Sequence, residues 1–227
     1  MVVPDDDLPK GLKRRTVDAT PNVGDLFRGY VRGGYSIPDA IAEYVDNSIE
    51  QIGDRPGGRV EVDVAGGGSG IVTTIRDNGG GCRDSDALRF IQPGNTGTTE
   101  LSRGISRFGM GGKTAGLSVA KQVRVYSRFP GENGFLVILD RNELMTKPNW
   151  HFEVYDIPQG VPVKSGETLV ELRGMETEAH AKRDSYRERF SKRYAALLRR
   201  PNSPVLKVAG LPVPPRDPEE LMLKGAE

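Results

Sequence analysis

Residues that bind transition metals or cross-link the chain are scarce in this sequence. Its 227 residues include one cysteine, Cys82, and two histidines, His151 and His180. A single cysteine forms no internal disulfide, and one thiol with two imidazoles does not complete the four-ligand set of a structural zinc site. A metal ion bound by this protein would therefore take oxygen ligands.

Long apolar runs are missing as well. The sequence is 36% apolar and 28% charged, and no apolar run approaches the roughly 20 residues that a membrane-spanning helix needs. The chain opens on Val2–Asp7, which is acidic where a secretory signal is basic and then apolar. We therefore expect a water-soluble, cytoplasmic protein that does not contact a membrane.

Neither sign of charge is in excess. The 32 basic and 31 acidic residues leave a formal net charge of +1, so the protein as a whole is not drawn to nucleic acid. Glycine, by contrast, is abundant, and its 29 residues cluster at a few places along the chain. The length fits one large domain, or one domain with an appendage.

The strongest helix in the first half of the chain is expected to begin after Ser36 and end at Gly53. Its apolar residues recur every four positions, which indicates a helix with one buried face. They are Ile37, Ile41, Val45 and Ile49. Glu43 and Asn47 lie one turn apart on the other side. They belong either to an ordinary solvated face, or to a site where a carboxylate and a carboxamide serve a water molecule and a metal ion.

The next segment predicts a β-hairpin over residues 59–76, with a glycine-rich turn at residues 66–70. Asp77 comes at the end of its second strand, with Gly79 and Gly81 just beyond. An ionised carboxylate at this place accepts a hydrogen bond from an amino group such as that of adenine, and the glycines allow a flat ring to approach the backbone. The alternative is an ordinary Asp-Asn-Gly turn.

A turn-rich segment at residues 92–99 has no apolar pattern, which is typical of a lid or of a disordered stretch. A second glycine cluster, Gly109–Thr114, then begins a helix. Glycines there leave N–H groups and the positive end of the helix dipole available to an anion, and Lys113 adds a full charge, which fits a polyphosphate. The segment is not a P-loop, because Arg107 stands where that motif requires glycine. A structural turn is the alternative.

The rest of the chain predicts further strands and one long helix. The strands are expected at residues 122–127, 134–139, 151–155, 168–172 and 205–208, and the helix at residues 176–199. We therefore expect an α+β fold, a two-layer sandwich with a mixed, mostly antiparallel sheet and helices on one face. The expected organisation is an arm at 1–35, a domain at 36–175, and a helix-and-hairpin extension at 176–227.

These motifs occur in a fixed order along the chain: a Glu-x-x-x-Asn helix, a strand ending in Asp-x-Gly-x-Gly, a lid-like segment and a Gly-x-Gly-x-Lys helix start. In this the sequence resembles the GHKL ATPase superfamily of DNA gyrase, the heat-shock ninety chaperones, histidine kinases and MutL. Residues 40–48 and 107–113 look most like its MORC, MutL and heat-shock ninety branch. The resemblance covers roughly residues 30–175 and implies the Bergerat-type ATP-binding fold for the domain at 36–175.

The resemblance also implies a role for each matching residue. Glu43 would polarise the water that attacks ATP, and Asn47 would coordinate Mg²⁺. Asp77 would accept a hydrogen bond from the adenine amine, with support from Thr168. Lys113 would act with Glu43 in catalysis. The other residues expected to contact the nucleotide are Gly79, Gly81, Gly94, Asn95, Phe108, Gly109, Met110, Gly111, Gly112 and Thr114.

Two positions depart from the usual pattern of the superfamily. Ser106 stands where many members carry the first glycine of the phosphate loop. Glu167 replaces the glycine that usually precedes the threonine found here as Thr168. The first departure would alter the lid, and the second would change only a turn.

The leading hypothesis is a domain that hydrolyses ATP with Mg²⁺ and couples the bound ATP or ADP to lid closure, dimerisation or partner binding. On the resemblance, ATP would close residues 92–112 and promote a homodimer through the N-terminal arm. A nucleotide-switched binding module with negligible turnover is an alternative, because the second domain that supplies a catalytic lysine in related ATPases is absent or only begun here. A histidine-kinase-type phosphotransferase is less favoured, because that branch generally lacks the water-activating glutamate.

Basic residues crowd the predicted C-terminal helix between residues 182 and 200. They are Lys182, Arg183, Arg187, Arg189, Lys192, Arg193, Arg199 and Arg200. Such a run is either a solvated face beside the apolar stripe of Tyr186, Phe190 and Tyr194, or a surface that contacts DNA.

Overall fold

The structure is a computed structural model that describes residues 21–32, 34–67, 70–92, 111–159, 162–175 and 183–216. Most of the predicted arm and of the lid-like segment lies outside these residues. Five of the predicted nucleotide contacts also lie outside them and stay predictions: Gly94, Asn95, Phe108, Gly109 and Met110.

The described residues form helices and strands in an interleaved order. The helices are α1 (Val23–Val31), α2 (Ile37–Ile52), α3 (Gly111–Val119), α4 (Arg141–Thr146), α5 (Arg183–Arg193) and α6 (Ala195–Leu198), with a 3-10 helix at Asp84–Phe90. The strands are β1 (Arg59–Gly67), β2 (Gly70–Asp77), β3 (Gln122–Arg128), β4 (Phe135–Asp140), β5 (Val154–Asp156), β6 (Glu167–Met175), β7 (Val205–Val208) and β8 (Leu211–Pro212). None of the described helices is long and apolar enough to cross a membrane.

One eight-stranded sheet organises the molecule, in the order β5-β4-β3-β6-β2-β1-β7-β8. Neighbouring strands are antiparallel, except that β1 and β7 are parallel. Buried side chains of α1, α2, α3 and α5 join those of the central strands in one hydrophobic core. The predicted α+β fold with a mixed, mostly antiparallel sheet is confirmed.

Helix α2 forms where the apolar period predicted it. Ser36 caps its start by accepting a backbone N–H hydrogen bond at 3.4 Å. Gly53 ends it with a φ of +56°, a conformation that L side chains rarely adopt. Ile41 and Val45 are fully buried and anchor the helix on the sheet. The side of α2 that carries Glu43 is therefore held in one orientation relative to the sheet.

The strand register places three polar residues in one row across the sheet. β2 and β6 pair so that Asp77 lies opposite Thr168. β6 and β3 pair so that Thr168 lies opposite Ser127. Because antiparallel partners opposite each other lie on the same face, the three side chains point into the same layer.

Helix α1 lies in the segment that was expected to be an arm. Asn22 caps the helix by accepting a backbone N–H at 3.0 Å. Phe27 is fully buried, with its ring edge-on to Tyr30 and close to that of Trp150. A nine-residue helix is too short to be stable alone, so aromatic contacts with distant residues stabilise it.

The residues after 182 share the core of the preceding part. Tyr186, Phe190 and Tyr194 are buried in the common core, as the apolar stripe predicted. β7 extends the sheet beside β1, with Val205 opposite Arg59. The predicted division of the chain into domains at residue 175 stays a prediction. In the structure, the described residues on its two sides pack together in one core.

Candidate functional site

Asp77 is a buried acceptor at the end of β2, with a side chain that is 4% exposed. Ser48 of α2 donates a hydrogen bond from Oγ to Asp77 Oδ2 at 2.9 Å. The Gly79 backbone N–H donates to Oδ1 at 2.9 Å. Burial raises the pKa of Asp77 to about 6, against the opposing effect of these two hydrogen bonds. At neutral pH the group is therefore ionised and can accept further hydrogen bonds.

The row beside Asp77 is also polar and buried. Thr168 Oγ1 lies 2.9 Å from Ser127 Oγ, and the Cys82 backbone N–H donates to the same Ser127 oxygen at 2.8 Å. Thr168 is 4% exposed and Ser127 is fully buried. Polar side chains are costly in an apolar layer unless they are hydrogen-bonded, and these hydrogen bonds satisfy the hydroxyl groups that are buried beside Asp77.

Gly79 and Gly81, two of the three glycines that follow Asp77, lie too close to neighbouring atoms to carry a Cβ without a shift. A Cβ on Gly81 would lie 2.1 Å from the Arg128 carbonyl oxygen, and its φ is +68°. A Cβ on Gly79 would lie 2.9 Å from Gln51 Cγ. Gln51 in turn donates a hydrogen bond from Nε2 to the Gly81 carbonyl at 2.9 Å. The loop is thus fixed against α2 and against the end of β3.

Replacing Gly81 with alanine is expected to destabilise the protein by about 3 kcal/mol or more, because steric overlap with a carbonyl adds to backbone strain. Gly57 is the matched control, since it has a φ of +73° but nothing within 4 Å of an added Cβ. Gly57→Ala should cost only about 1 kcal/mol. Urea unfolding measures both losses, and equal losses would contradict the requirement for close approach.

The start of α3 lies directly on the polar side of α2. A Cβ on Gly111 would lie 2.2 Å from Glu43 Oε2, and one on Gly112 would lie 3.3 Å from Asn47 Nδ2. Tyr44 donates a hydrogen bond from its hydroxyl to the Gly112 carbonyl at 2.5 Å. This close approach brings the positive end of the α3 dipole beside the carboxylate and carboxamide of α2.

The polar side of α2 is not an ordinary solvated face. Asp46 and Ser48 are buried, and Glu43 and Asn47 are half-buried. Burial raises the pKa of Glu43, and the nearby Asp46 carboxylate raises it further, while Arg193 lowers it. A carboxylate whose pKa is raised is a stronger base than one at its ordinary pKa.

Lys113 follows the two glycines in the first turn of α3. Its side chain is 8% exposed, and burial, together with the charge of Arg89, lowers its pKa to about 8. A lysine is seldom buried in this way without a role for its charge. Thr114, the next residue, is half-buried.

Two groups of predicted site residues are thus each brought together, and α2 joins them. One group is formed by Asp77, Thr168 and the glycine loop, and the other by Glu43, Asn47, Gly111 and Gly112. Ser48 contacts the first group, and Glu43 belongs to the second. The two residues lie five positions apart on α2, which is about 7.5 Å along the helix axis. Ser48, Gln51 and Ser127 were not predicted, and only the adjacency of Ser48 to Asn47 gave a sequence signal for any of them.

The described basic side chains of α5 make contacts within the protein. Arg189 and Arg193 pair with Asp39 and Asp46 of α2. Lys192 pairs with Glu188 at 2.9 Å. Arg187 donates a hydrogen bond from Nε to the Pro212 carbonyl at 3.0 Å. Much of the basic charge is therefore used to fix this helix on the rest of the protein.

Comparison with known proteins agrees with the geometry. A family model described as "Histidine kinase-, DNA gyrase B-, and HSP90-like ATPase" matches residues 35–165. The chain is also similar to the Protein MICRORCHIDIA 7 of Arabidopsis thaliana, with 30% identity over 97 residues. That match covers 42% of this chain and 14% of the plant protein.

The matched region contains both groups of site residues except Thr168, which follows it by three residues. The similarity to MICRORCHIDIA 7 supports the MORC branch among those that the motifs resemble. Because the family model covers more than half of the sequence, this chain belongs to the family of histidine kinase-, DNA gyrase B- and HSP90-like ATPases.

Proposed function

We propose that this protein hydrolyses ATP with Mg²⁺. The observation that carries the proposal is the position of α2 between a buried acceptor, Asp77, and the glycine start of α3. An adenine amine would donate to Asp77 at one end of α2. The phosphates would lie at the other end, beside Lys113 and the N–H groups of α3.

The chemistry assigned to the chain is a proton transfer coupled to phosphoryl transfer. Glu43 accepts a proton from a water molecule as the water oxygen bonds to the γ-phosphorus. The bond from that phosphorus to the bridging oxygen breaks, and ADP and inorganic phosphate leave. Lys113 stabilises the negative charge that the leaving oxygen acquires.

Asn47 fits the role of magnesium ligand, because its side-chain oxygen is the kind of hard donor that Mg²⁺ prefers. The described residues include no group of three or more His, Cys, Asp or Glu side chains that could hold a metal ion. The proposed ion would be held by Asn47 and by the phosphates. Mg²⁺ would neutralise phosphate charge.

Hydrolysis is favoured over the alternatives by the place of Glu43. A nucleotide-switched module with negligible turnover needs no base beside the start of α3, and a kinase would transfer the phosphoryl group to a protein. DNA binding through the basic helix gains no support from the described contacts of α5, because Arg189 and Arg193 already pair with acidic residues. ATP-dependent lid closure and homodimerisation involve residues outside the described ranges and stay predictions.

Titration calorimetry with ATP and Mg²⁺, together with a phosphate-release assay across pH, tests the proposal. We expect a bell-shaped profile of kcat/KM. It should fall below pH 6, because Asp77 has a pKa of about 6 and no longer accepts the adenine hydrogen bond once protonated. It should also fall above pH 8, because Lys113 has a pKa of about 8 and loses its charge. Lys113→Arg should move the alkaline limb to higher pH, because arginine stays charged.

Two results would contradict the proposal. One is the absence of ATP binding in the calorimeter. The other is ATP binding without release of phosphate above the rate in buffer, which would favour the switch module. An alkaline limb that does not move in Lys113→Arg would remove Lys113 from its assigned role.

A further inference from the structure

Asp46 is the most deeply buried carboxylate of α2, at 4% exposure. Its Oδ2 accepts a hydrogen bond from Arg193 Nη2 at 2.5 Å, and its Oδ1 accepts one from the Tyr194 hydroxyl at 2.7 Å. The Tyr194 hydroxyl also lies 3.3 Å from the Ala42 carbonyl oxygen. Arg193 is the last residue of α5 and Tyr194 follows it directly, so both donors are far from Asp46 in sequence.

A gain in the free energy of unfolding does not by itself explain why Asp46 is buried with these two donors. A buried carboxylate loses its hydration, and its ion pair with an arginine often does no more than offset that loss. Asp46, however, lies three residues after Glu43 and directly before Asn47. Side chains three apart in a helix are neighbours, so the carboxylate that α5 holds lies beside the side chain of Glu43, and its backbone is bonded directly to that of Asn47.

The charges around Glu43 also connect Arg193 to the proposed base. The charged or titratable groups that act on Glu43 are Asp39 and Asp46 from its own helix and Arg193 from α5, while Tyr35 and Tyr44 are the phenols whose pKa Glu43 raises. Asp46 and Asp39 raise the pKa of Glu43, and Arg193 opposes them. Without Arg193, Glu43 would lose the cation that opposes these two carboxylates among the described residues.

We propose that Arg193 and Tyr194 are positioning residues for ATP hydrolysis, which hold Asp46 and through it fix the turn of α2 that carries Glu43 and Asn47. The inference rests on the proposed function, since it concerns the same base. Both residues lie beyond residue 165, where the family match ends. The C-terminal helix is thus part of the catalytic apparatus rather than an appendage.

The chain offers a matched control between the same two helices. Arg189 pairs with Asp39 as Arg193 pairs with Asp46, and each arginine reaches α2 from α5. The pairs differ in burial, because the side chain of Asp39 is 39% exposed and that of Asp46 is 5% exposed. An exposed pair contributes little to stability. Asp39 lies four residues before Glu43 and is also its helical neighbour, so the comparison isolates the burial of the pair at Asp46.

The experiment compares Arg193→Met, Arg193→Lys, Tyr194→Phe and Arg189→Met with the wild type. We expect Arg193→Met to lower kcat about tenfold or more while the Kd for ATP changes by about twofold or less, as for a loss confined to the transition state. The acid limb of its kcat profile should move to higher pH, because the pKa of Glu43 rises. Tyr194→Phe should show a smaller loss of kcat, Arg193→Lys should regain part of it, and Arg189→Met should match the wild type.

Thermal unfolding of each variant shows whether it is folded at the assay temperature. If Arg193→Met does not fold, Tyr194→Phe and Arg193→Lys decide the question, because each retains most of the packing. An active wild type with unchanged kcat and acid limb in the folded variants would overturn this inference and leave the proposed function intact. A loss of kcat in Arg189→Met equal to that in Arg193→Met would also overturn the inference. It would show that kcat depends on the docking of α5 on α2 in general and not on the contacts of Asp46. A wild type without turnover would overturn both proposals.

Discussion

Glu43→Gln is expected to lower kcat for ATP hydrolysis by about 10²- to 10⁴-fold, the range that a positioned general base contributes. The amide keeps the shape of the carboxylate but does not accept the proton of the attacking water. Glutamine also keeps the close contact with Gly111, where an added Cβ would lie 2.2 Å from Glu43 Oε2. Glutamine is therefore a cleaner test than alanine.

The affinity for ATP should change by about twofold or less in Glu43→Gln, because the base acts on water and not on the nucleotide. Glu50→Gln is the control, since Glu50 lies on the exposed side of the same helix and its substitution should leave kcat unchanged. Single-turnover phosphate release and calorimetry give the two quantities separately. A Glu43→Gln protein with wild-type turnover would show that another group activates the water.

Asp77→Asn is expected to weaken ATP binding by about 100-fold or more, because a site built to accept a hydrogen bond then presents a donor to the adenine amine. The row of Thr168 and Ser127 stays in place, so the shape of the pocket is kept. Guanine carries an acceptor where adenine carries its amino group. The ratio of ATP to GTP affinity should therefore fall together with the affinity for ATP.

The stability of Asp77→Asn separates a binding role from a structural one. The folded-state pKa of Asp77 is raised to about 6 from 3.8, so ionising this carboxylate disfavours the folded state. The cost develops as the pH rises from about 4 to about 6 and reaches about 3 kcal/mol at neutral pH. Removing the charge should leave the melting temperature at pH 7 equal to that of the wild type or higher.

Asp63→Asn is the matched control, because Asp63 lies on the exposed face of the neighbouring strand β1. Its substitution should change neither ATP affinity nor stability by more than about 0.5 kcal/mol. If Asp77→Asn binds ATP as tightly as the wild type in the calorimeter, the adenine site has been assigned to the wrong residue.

Most of the fold could be predicted from local patterns. The apolar period of α2, the alternation in β1 and the glycine turn before β2 are properties of adjacent residues, and they produced the correct elements. α1 and α4 were not predicted, because each is short. α1 depends on the burial of Phe27 against the distant Trp150, which no local pattern contains.

The burial of the candidate site could not be predicted from α2 alone. The polar residues of α2 are equally compatible with a solvent-exposed face and with a buried one, and the close approach of Gly111 and Gly112 decides between the two. Ser127 lies fifty residues after Asp77 in sequence, and only the shared neighbour β6 brings the two into one row. Register between distant strands is a tertiary property, because it is set by the packing of whole strands.

The sequence by itself determined which residue types are available and in what order: a glutamate and an asparagine one turn apart, an aspartate at a strand end, and a lysine after glycines. Those properties depend on neighbours in the chain. The tertiary structure decided which of them meet, how deeply Asp77 and Lys113 are buried, and that Arg193 and Tyr194 reach the helix of Glu43. Burial and long-range contacts set the charge state and the position of these side chains. Both properties are decided by the tertiary structure, because the groups involved come together only when the chain folds.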